Sequence, residues 1–228
     1  MTILIDGRPW YDPLQGGVTR VANGLLPALI QVMPEHACVV VTTGMRKPSL
    51  PVPNHRHILL PNKIWSALSS LGFTSLDRAC RKDKPDILFL PNIGFTGMPT
   101  IPYALLVHDL SFLIEPRWYS WRGRLWHHAV HAKQLMKQAT WLFAVSERTK
   151  QDLIDLLAIP AEHITVIPMG RSPESLHDEL PIPLQHTQYV VALGGTNRRK
   201  NAACAIEAVA HLRQYPDYRD IILVLLGT

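Results

Sequence analysis

The stretch TWLFAVSERTKQDLIDLLAIPAEHITVI, residues 140–167, decides the fold. Residues 140–145 form an apolar run with little polar alternation, which predicts a strand covered on both faces. Ser146 is well placed as the N-cap of a helix. Residues 149–157 carry a helical period, and a second apolar run follows over 163–167. Strand, helix and strand in so short a span make a βαβ unit.

The same pattern extends outward. Further strands are predicted at 2–5, 37–41, 57–60, 86–90, 103–107, 189–193 and 221–226, all rich in Val, Ile and Leu. Helical periods run over 18–33, with Pro27 inside, and over 125–139 and 202–212. Alternation of this kind predicts an α/β chain with a Rossmann-like, doubly wound parallel sheet. Residues 171–188 (RSPESLHDELPIPLQHTQ) hold three prolines and no period, and read as a linker or hinge. The expected organisation is a domain over 1–170, a hinge over 171–188, and the first βαβ of a second Rossmann-like domain over 189–228. Two strands and one helix cannot cover their own edges, so this second domain reads as begun and truncated.

Composition excludes several classes. Of 228 residues, 47% are apolar and 18% charged, which is not a disordered composition. No run approaches the roughly 20 apolar residues of a membrane span. The N-terminus lacks a basic region and reaches Asp6 early, unlike a signal peptide, so a cytoplasmic location is expected. Cys38, Cys80 and Cys204 form no CxxC pair, and Cys38 and Cys204 read as buried thiols. The net charge of +5 is uneven: residues 115–150 hold seven basic and two acidic groups, residues 151–194 one and six. A local excess argues for a patch or site, not for general nucleic-acid binding.

Four stretches carry chemistry. DPLQGGVTR (12–20) puts Gly16 and Gly17 at a helix start, where backbone N–H groups and the helix dipole favour an anion. An ordinary βα turn is the plainer alternative. His108 and Asp109 follow a strand and so fall at the sheet's carboxyl edge, where they could orient a substrate hydroxyl. Equally, Asp109 could cap the next turn and His108 bond backbone. RWYSWRGRLWHHAVHAKQLMK (117–137) interleaves five cations with tryptophans and has no acid, which suits a membrane interface. A core stripe of Trp121, Leu125, Ala129, Ala132 and Met136 with solvated cations ranks ahead of it. His127 and His131, four apart, could share a metal, but the surrounding cations oppose one. GGTNRRKN (194–201) joins glycines to Arg198, Arg199 and Lys200 ahead of a helix, and a diphosphate site ranks there ahead of a solvated basic turn. It is neither a P-loop nor a GxGxxG turn.

In this order, GGV-x-R, YALLVHDLSFLIEPRW, WLFAVSERTKQDLIDLLAIPAEHITVIPMG and GGTNRRKN resemble the retaining nucleotide-sugar glycosyltransferases of family 4, across the whole chain. The resemblance implies a GT-B fold, in which an acceptor-side domain faces a donor-binding one. It implies hexosyl transfer from a nucleoside diphosphate sugar to a glycan or lipid-linked acceptor; mannosyl donors are common among similar sequences. It implies no cofactor and no metal. His108 matches the histidine that approaches the transferred sugar, with Asp109 after it. Gly16 and Gly17 match the loop against the donor phosphates and acceptor. Lys200 matches the lysine that neutralises the diphosphate, and Arg199 and Asn201 complete an RKN variant. The arginine that many relatives carry shortly after the fourth motif's glycine is absent, and PMG stands where PNG is usual. The family's paired glutamates are expected beyond residue 228, so the chain alone is expected to be inactive. A non-catalytic acceptor-binding or scaffolding module that pairs with another chain is the alternative.

Overall fold

The computed structural model describes every residue except 12–15, 35, 171–187, 195–197 and 227–228, and omits the side chain of Arg198. The predicted hinge therefore lies almost wholly outside the described residues. The chain divides into two compact units, Met1–Ser172 and Pro173–Thr228.

The first unit is built on a seven-stranded sheet: β1 (Thr2–Asp6), β2 (Ala37–Gly44), β3 (His55–Leu59), β4 (Ile87–Leu90), β5 (Tyr103–Val107), β6 (Trp141–Ala144) and β7 (Ile164–Val166). The strand order is β3-β2-β1-β4-β5-β6-β7, and every pairing is parallel. The chain winds outward from β1 to β3, returns to the other side of β1 as β4, and winds outward again. β1 and β4 are thus the switch point of a doubly wound sheet, and ligands of such sheets bind just beyond the strands' carboxyl ends there.

Both faces of the sheet are covered, which is why its strands lack polar alternation. Ile3 and Ile5 of β1 pack with Val40 against Ala22 and Leu26 of α1 (Gly17–Val32). Leu4, between them, joins the larger cluster with Leu88, Leu105, Leu142 and Trp65. Trp65 belongs to α2 (Asn62–Ser70), a helix that the sequence pattern did not predict. Pro27 does not end α1, which runs on to Val32. Short helices α3 (Leu76–Ala79) and α4 (Ser111–Ile114) follow β3 and β5.

The single helix predicted over 125–139 is two. α5 (Trp121–Ala129) ends at Val130, His131 turns left-handed with φ 54°, and α6 (Ala132–Gln138) starts afresh. Tertiary bonds hold the break: Ser70 Oγ donates to the carbonyl of Ala129 (2.8 Å), and His131 Nε2 donates to that of Ser70 (2.8 Å). The expected core stripe does not survive it. Ala132 and Met136 are buried, but Trp121 and Leu125 are 64% and 58% exposed.

α7 (Glu147–Leu157) joins β6 to β7, and Ser146 Oγ accepts from the Thr149 N–H (3.1 Å), the expected cap. In the second unit, β8 (Tyr189–Leu193) and β9 (Ile222–Leu226) pair in parallel through α8 (Ala202–Leu212). Only Val209 of α8 is buried, and Cys204 is exposed, not buried as its alanine neighbours suggested.

Candidate functional site

A cavity of about 520 Å³ opens at the switch point. It lies where strand ends bring distant residues together: Arg8 just after β1, Thr43 near the end of β2, and residues 92–95 after β4. Gly16 and Gly17 at the start of α1, Trp65 of α2 and Trp126 of α5 complete its walls.

The cavity's frame is an ion pair. Asp6, 2% exposed, accepts from Arg8 Nε (2.8 Å), Arg8 Nη2 (2.7 Å) and the Arg8 backbone N–H (3.1 Å). Arg8 Nη1 donates to the Phe95 carbonyl (2.7 Å), and Trp65 Nε1 donates to the same oxygen (2.6 Å). That carbonyl thus has both lone pairs engaged, which pins the loop after β4 to β1 and α2. Trp126 stands edge-to-face on Phe95 at 5.9 Å. Tyr11 donates to the Thr43 carbonyl (2.7 Å), and the Thr43 hydroxyl to Asn62 Oδ1 (3.1 Å). The result is a nearly neutral cavity with indole and phenyl walls, amide and hydroxyl groups, and a fixed guanidinium.

Gly16 caps α1 with φ −73° and ψ −178°, so no left-handed turn demands a glycine there. A Cβ at Gly16 or Gly17 would meet nothing within 4 Å. What the pair provides is an open approach to the first N–H groups of α1 from the cavity. The rest of the motif, residues 12–15, lies outside the described residues.

His108 and Asp109 stand at the end of β5, and neither lines this cavity. His108 Nε2 lies 2.9 Å from the Pro91 carbonyl. A carbonyl can only accept, so Nε2 carries the proton and Nδ1 is the ring's acceptor. Burial lowers the His108 pKa below its ordinary value; the Pro91 bond and the charge of Asp109 oppose that only in part. The ring is therefore neutral at neutral pH. Asp109 Oδ1 accepts from the Ser111 N–H (3.0 Å) and hydroxyl (2.5 Å), which ties it to the first residue of α4; the N-cap position itself is Leu110. The Thr149 hydroxyl reaches the His108 carbonyl at 3.4 Å, linking the second motif to the start of α7.

In the second unit, Arg198–Lys200 form a short 3-10 turn before α8. Asn201 caps α8 in a left-handed conformation, φ 49°. Lys200 is exposed and Arg199 half-buried. Gly194 is needed for close approach: a Cβ there would stand 2.9 Å from that of Ala202. Residues 195–197 lie outside the described residues.

The histidine pair considered for a metal is engaged otherwise. His127 Nδ1 contacts the Gly123 carbonyl (2.8 Å), and the left-handed turn takes His131 off that helix face. Among the described residues, no cluster of three or more His, Cys, Asp or Glu side chains could hold a metal ion. Sequence reasoning missed Arg8, Trp65, Asn92 and Phe95. Their one available signal was position, since Arg8 and Asn92 both follow strands at the sheet's carboxyl edge.

Residues 15–175 match the family model of Glycosyltransferase Family 4, well over half the chain. No curated protein matches the chain. Among solved structures, a sucrose-phosphate synthase from Thermosynechococcus elongatus has a TM-score of 0.62 at 18% identity, over 99% of this chain and 62% of its own. WaaG, a glycosyltransferase involved in lipopolysaccharide biosynthesis, has 0.59 at 16%, over 99% and 63%. Anabaena HepE, solved with UDP and glucose, has 0.58 at 16%, over 99% and 60%. The chain thus spans about three fifths of these proteins' length, and at such identities the likeness speaks to fold.

Proposed function

The chain belongs to glycosyltransferase family 4, and on that premise we propose that it serves hexosyl transfer, mannosyl included, from a nucleoside diphosphate sugar to a hydroxyl of a glycan or lipid-linked acceptor, with anomeric retention. The observation that carries this reading is the switch-point cavity. Sugars offer C–H faces to aromatic rings and hydroxyls to amides and guanidinium groups, and the cavity wall holds both. We assign it to the acceptor.

Each site residue takes a role that its chemistry allows. The departing diphosphate gains charge in the transition state. Arg199 and Lys200, with Asn201 and the first N–H groups of α8, would meet that charge electrostatically. These cations would do the work of a divalent ion, so the proposal includes no metal and no cofactor. The N–H groups at Gly16 and Gly17 would donate to phosphate or acceptor. His108, neutral and with Nδ1 as acceptor, would take a hydrogen bond from a hydroxyl of the transferred sugar. Asp109 would hold the turn that presents it.

We further propose that residues 1–170 form the acceptor side, residues 171–188 a hinge, and residues 189–228 the start of the donor side. On this reading the 228-residue chain turns over little sugar alone. The proposal places it in the cytoplasm, in peripheral contact with a membrane through residues 117–137. No helix among the described residues is long and apolar enough to cross one.

Calorimetric titration with UDP, GDP and ADP tests the donor side without requiring turnover. Arg199→Ala/Lys200→Ala should weaken the preferred diphosphate by at least about tenfold, since charge-assisted bonds contribute about 1.5–3 kcal/mol each. Equal affinity in wild type and variant would refute the assignment.

A further inference from the structure

Tyr119 reaches Asp109 through Ser111. Ser111 Oγ lies 2.5 Å from Asp109 Oδ1 and 2.5 Å from the Tyr119 hydroxyl. A carboxylate can only accept, so the one proton of the Ser111 hydroxyl goes to Asp109. Ser111 Oγ therefore accepts from Tyr119. The run is ordered from phenol to serine to carboxylate, and hydrogen bonds that end on an ionised acceptor are the strong ones.

Packing aims the phenol. Ser111 is buried at the start of α4, and its carbonyl accepts from the Glu115 N–H (2.9 Å). A short 3-10 turn over Pro116–Trp118 then brings the chain back, so that Tyr119 meets the Ser111 hydroxyl. The Tyr119 ring stands edge-to-face on His127 of α5 (5.0 Å, 82°), and His127 stacks on Phe112 (4.1 Å, 9°), the neighbour of Ser111. Trp126, which lines the switch-point cavity, stands edge-to-face on the same His127 ring at 4.9 Å. Asp109, by contrast, is exposed at the end of β5. An exposed aspartate without partners samples several rotamers, and ordering it costs entropy that the run offsets. Its charge acts on the His108 ring, against the effect of burial there.

We propose that Tyr119 is a positioning residue for sugar transfer: through Ser111 it holds the Asp109 carboxylate beside His108, the ring assigned above to a hydroxyl of the transferred sugar. As the bond from sugar to diphosphate breaks, the sugar carbon gains positive charge, and a carboxylate already held in place meets that charge without reorganising. Tyr119 itself touches no substrate in this scheme. The inference deepens the glycosyltransferase reading and rests on its assignment of His108.

The test needs no turnover. Nuclear magnetic resonance titration of the histidine-labelled full chain follows the His108 ring, identified by the signal that His108→Gln removes. Asp109→Asn should lower the ring's titration midpoint, because the Asp109 charge favours the imidazolium. Tyr119→Phe keeps the ring on His127 and removes only the hydroxyl. It should lower the midpoint by a smaller step, since a released carboxylate turns towards solvent. Ser111→Ala should lower it at least as far as Tyr119→Phe does. In the Asp109→Asn background, Tyr119→Phe should leave the midpoint where it is, whereas a role confined to packing gives the same step with and without the carboxylate. Circular dichroism checks that the variants fold, and the Tyr119–Asp109 cycle stands alone if Ser111→Ala does not. An unmoved or raised midpoint in Tyr119→Phe, or equal steps in the two backgrounds, would overturn the proposal. Titration with UDP, GDP and ADP separates the two readings: Tyr119→Phe should bind the preferred diphosphate as the wild type does. No diphosphate binding by the wild type, with the cycle intact, would overturn the transfer reading and with it the role of Tyr119, though not the hydrogen-bonded run.

Discussion

Arg8→Met tests whether the Asp6–Arg8 pair builds the switch-point cavity. The substitution keeps most of the side-chain volume and removes three donated hydrogen bonds, two to Asp6 and one to the Phe95 carbonyl. It leaves a carboxylate at 2% exposure with only the backbone N–H of residue 8 among its described partners. Removing one member of a buried pair costs about 3–5 kcal/mol, because the remaining charge is uncompensated. For a domain of this size, that corresponds to a fall of roughly 6–20 °C in Tm. Asp6→Asn should cost less, about 2–3 kcal/mol, since the Arg8 side chain is 17% exposed and water can reach it. The double variant removes both charges and should cost less than the two single changes together, with a coupling of about 2 kcal/mol. Urea unfolding of all four proteins provides the assay. A loss under about 1 kcal/mol for Arg8→Met, the value of an exposed pair, or strict additivity in the cycle, would refute the reasoning.

Two other outcomes follow from single features. Gly97 has φ +67°, and a Cβ there would stand 2.2 Å from the Thr74 carbonyl oxygen, so Gly97→Ala should lose about 3 kcal/mol or more in urea unfolding. His55, His108 and His127 all have pKa values lowered, chiefly by burial, so the unfolded chain binds more protons than the folded one in mildly acidic solution. Their contribution to stability is full above the ordinary histidine value of 6.5 and is lost as pH falls through it towards the lowered folded values. Tm should therefore drop between about pH 7.5 and 5.5, and a flat profile would contradict burial as the cause.

Much of the fold was legible because parallel strands buried on both faces leave a strong local mark. The apolar runs at 103–107 and 189–193 coincide with β5 and β8, and the helix predicted over 202–212 coincides with α8. α2 escaped notice because it buries only Trp65 and Ser69, and a serine adds nothing to an apolar period. The break at His131 was invisible for a different reason: a left-handed histidine is held there by Ser70, sixty-one residues away. The glycine and RKN motifs could be read locally because each sits beside its own helix start. The switch-point cavity could not, since Asp6, Trp65, Phe95 and Trp126 meet only through the strand order. His108 and Asp109 show the limit of a motif: the sequence left capping and substrate contact open, and the bonds to Pro91 and Ser111 occupy one nitrogen and one carboxylate oxygen without deciding what the others meet.

The central claim is that the cavity between β1 and β4 holds the sugar acceptor. Nuclear magnetic resonance titration of the isotope-labelled chain with mono- and oligosaccharides addresses it directly. Signals of Gly16, Gly17, Asn92, Gly94 and the Trp126 indole should shift together and saturably for the preferred saccharide, and Trp126→Ala should weaken that binding by about tenfold, as the loss of an aromatic contact of 0.5–1.5 kcal/mol or slightly more would do. Saturable shifts confined to other residues, or unchanged affinity in Trp126→Ala, would contradict the account.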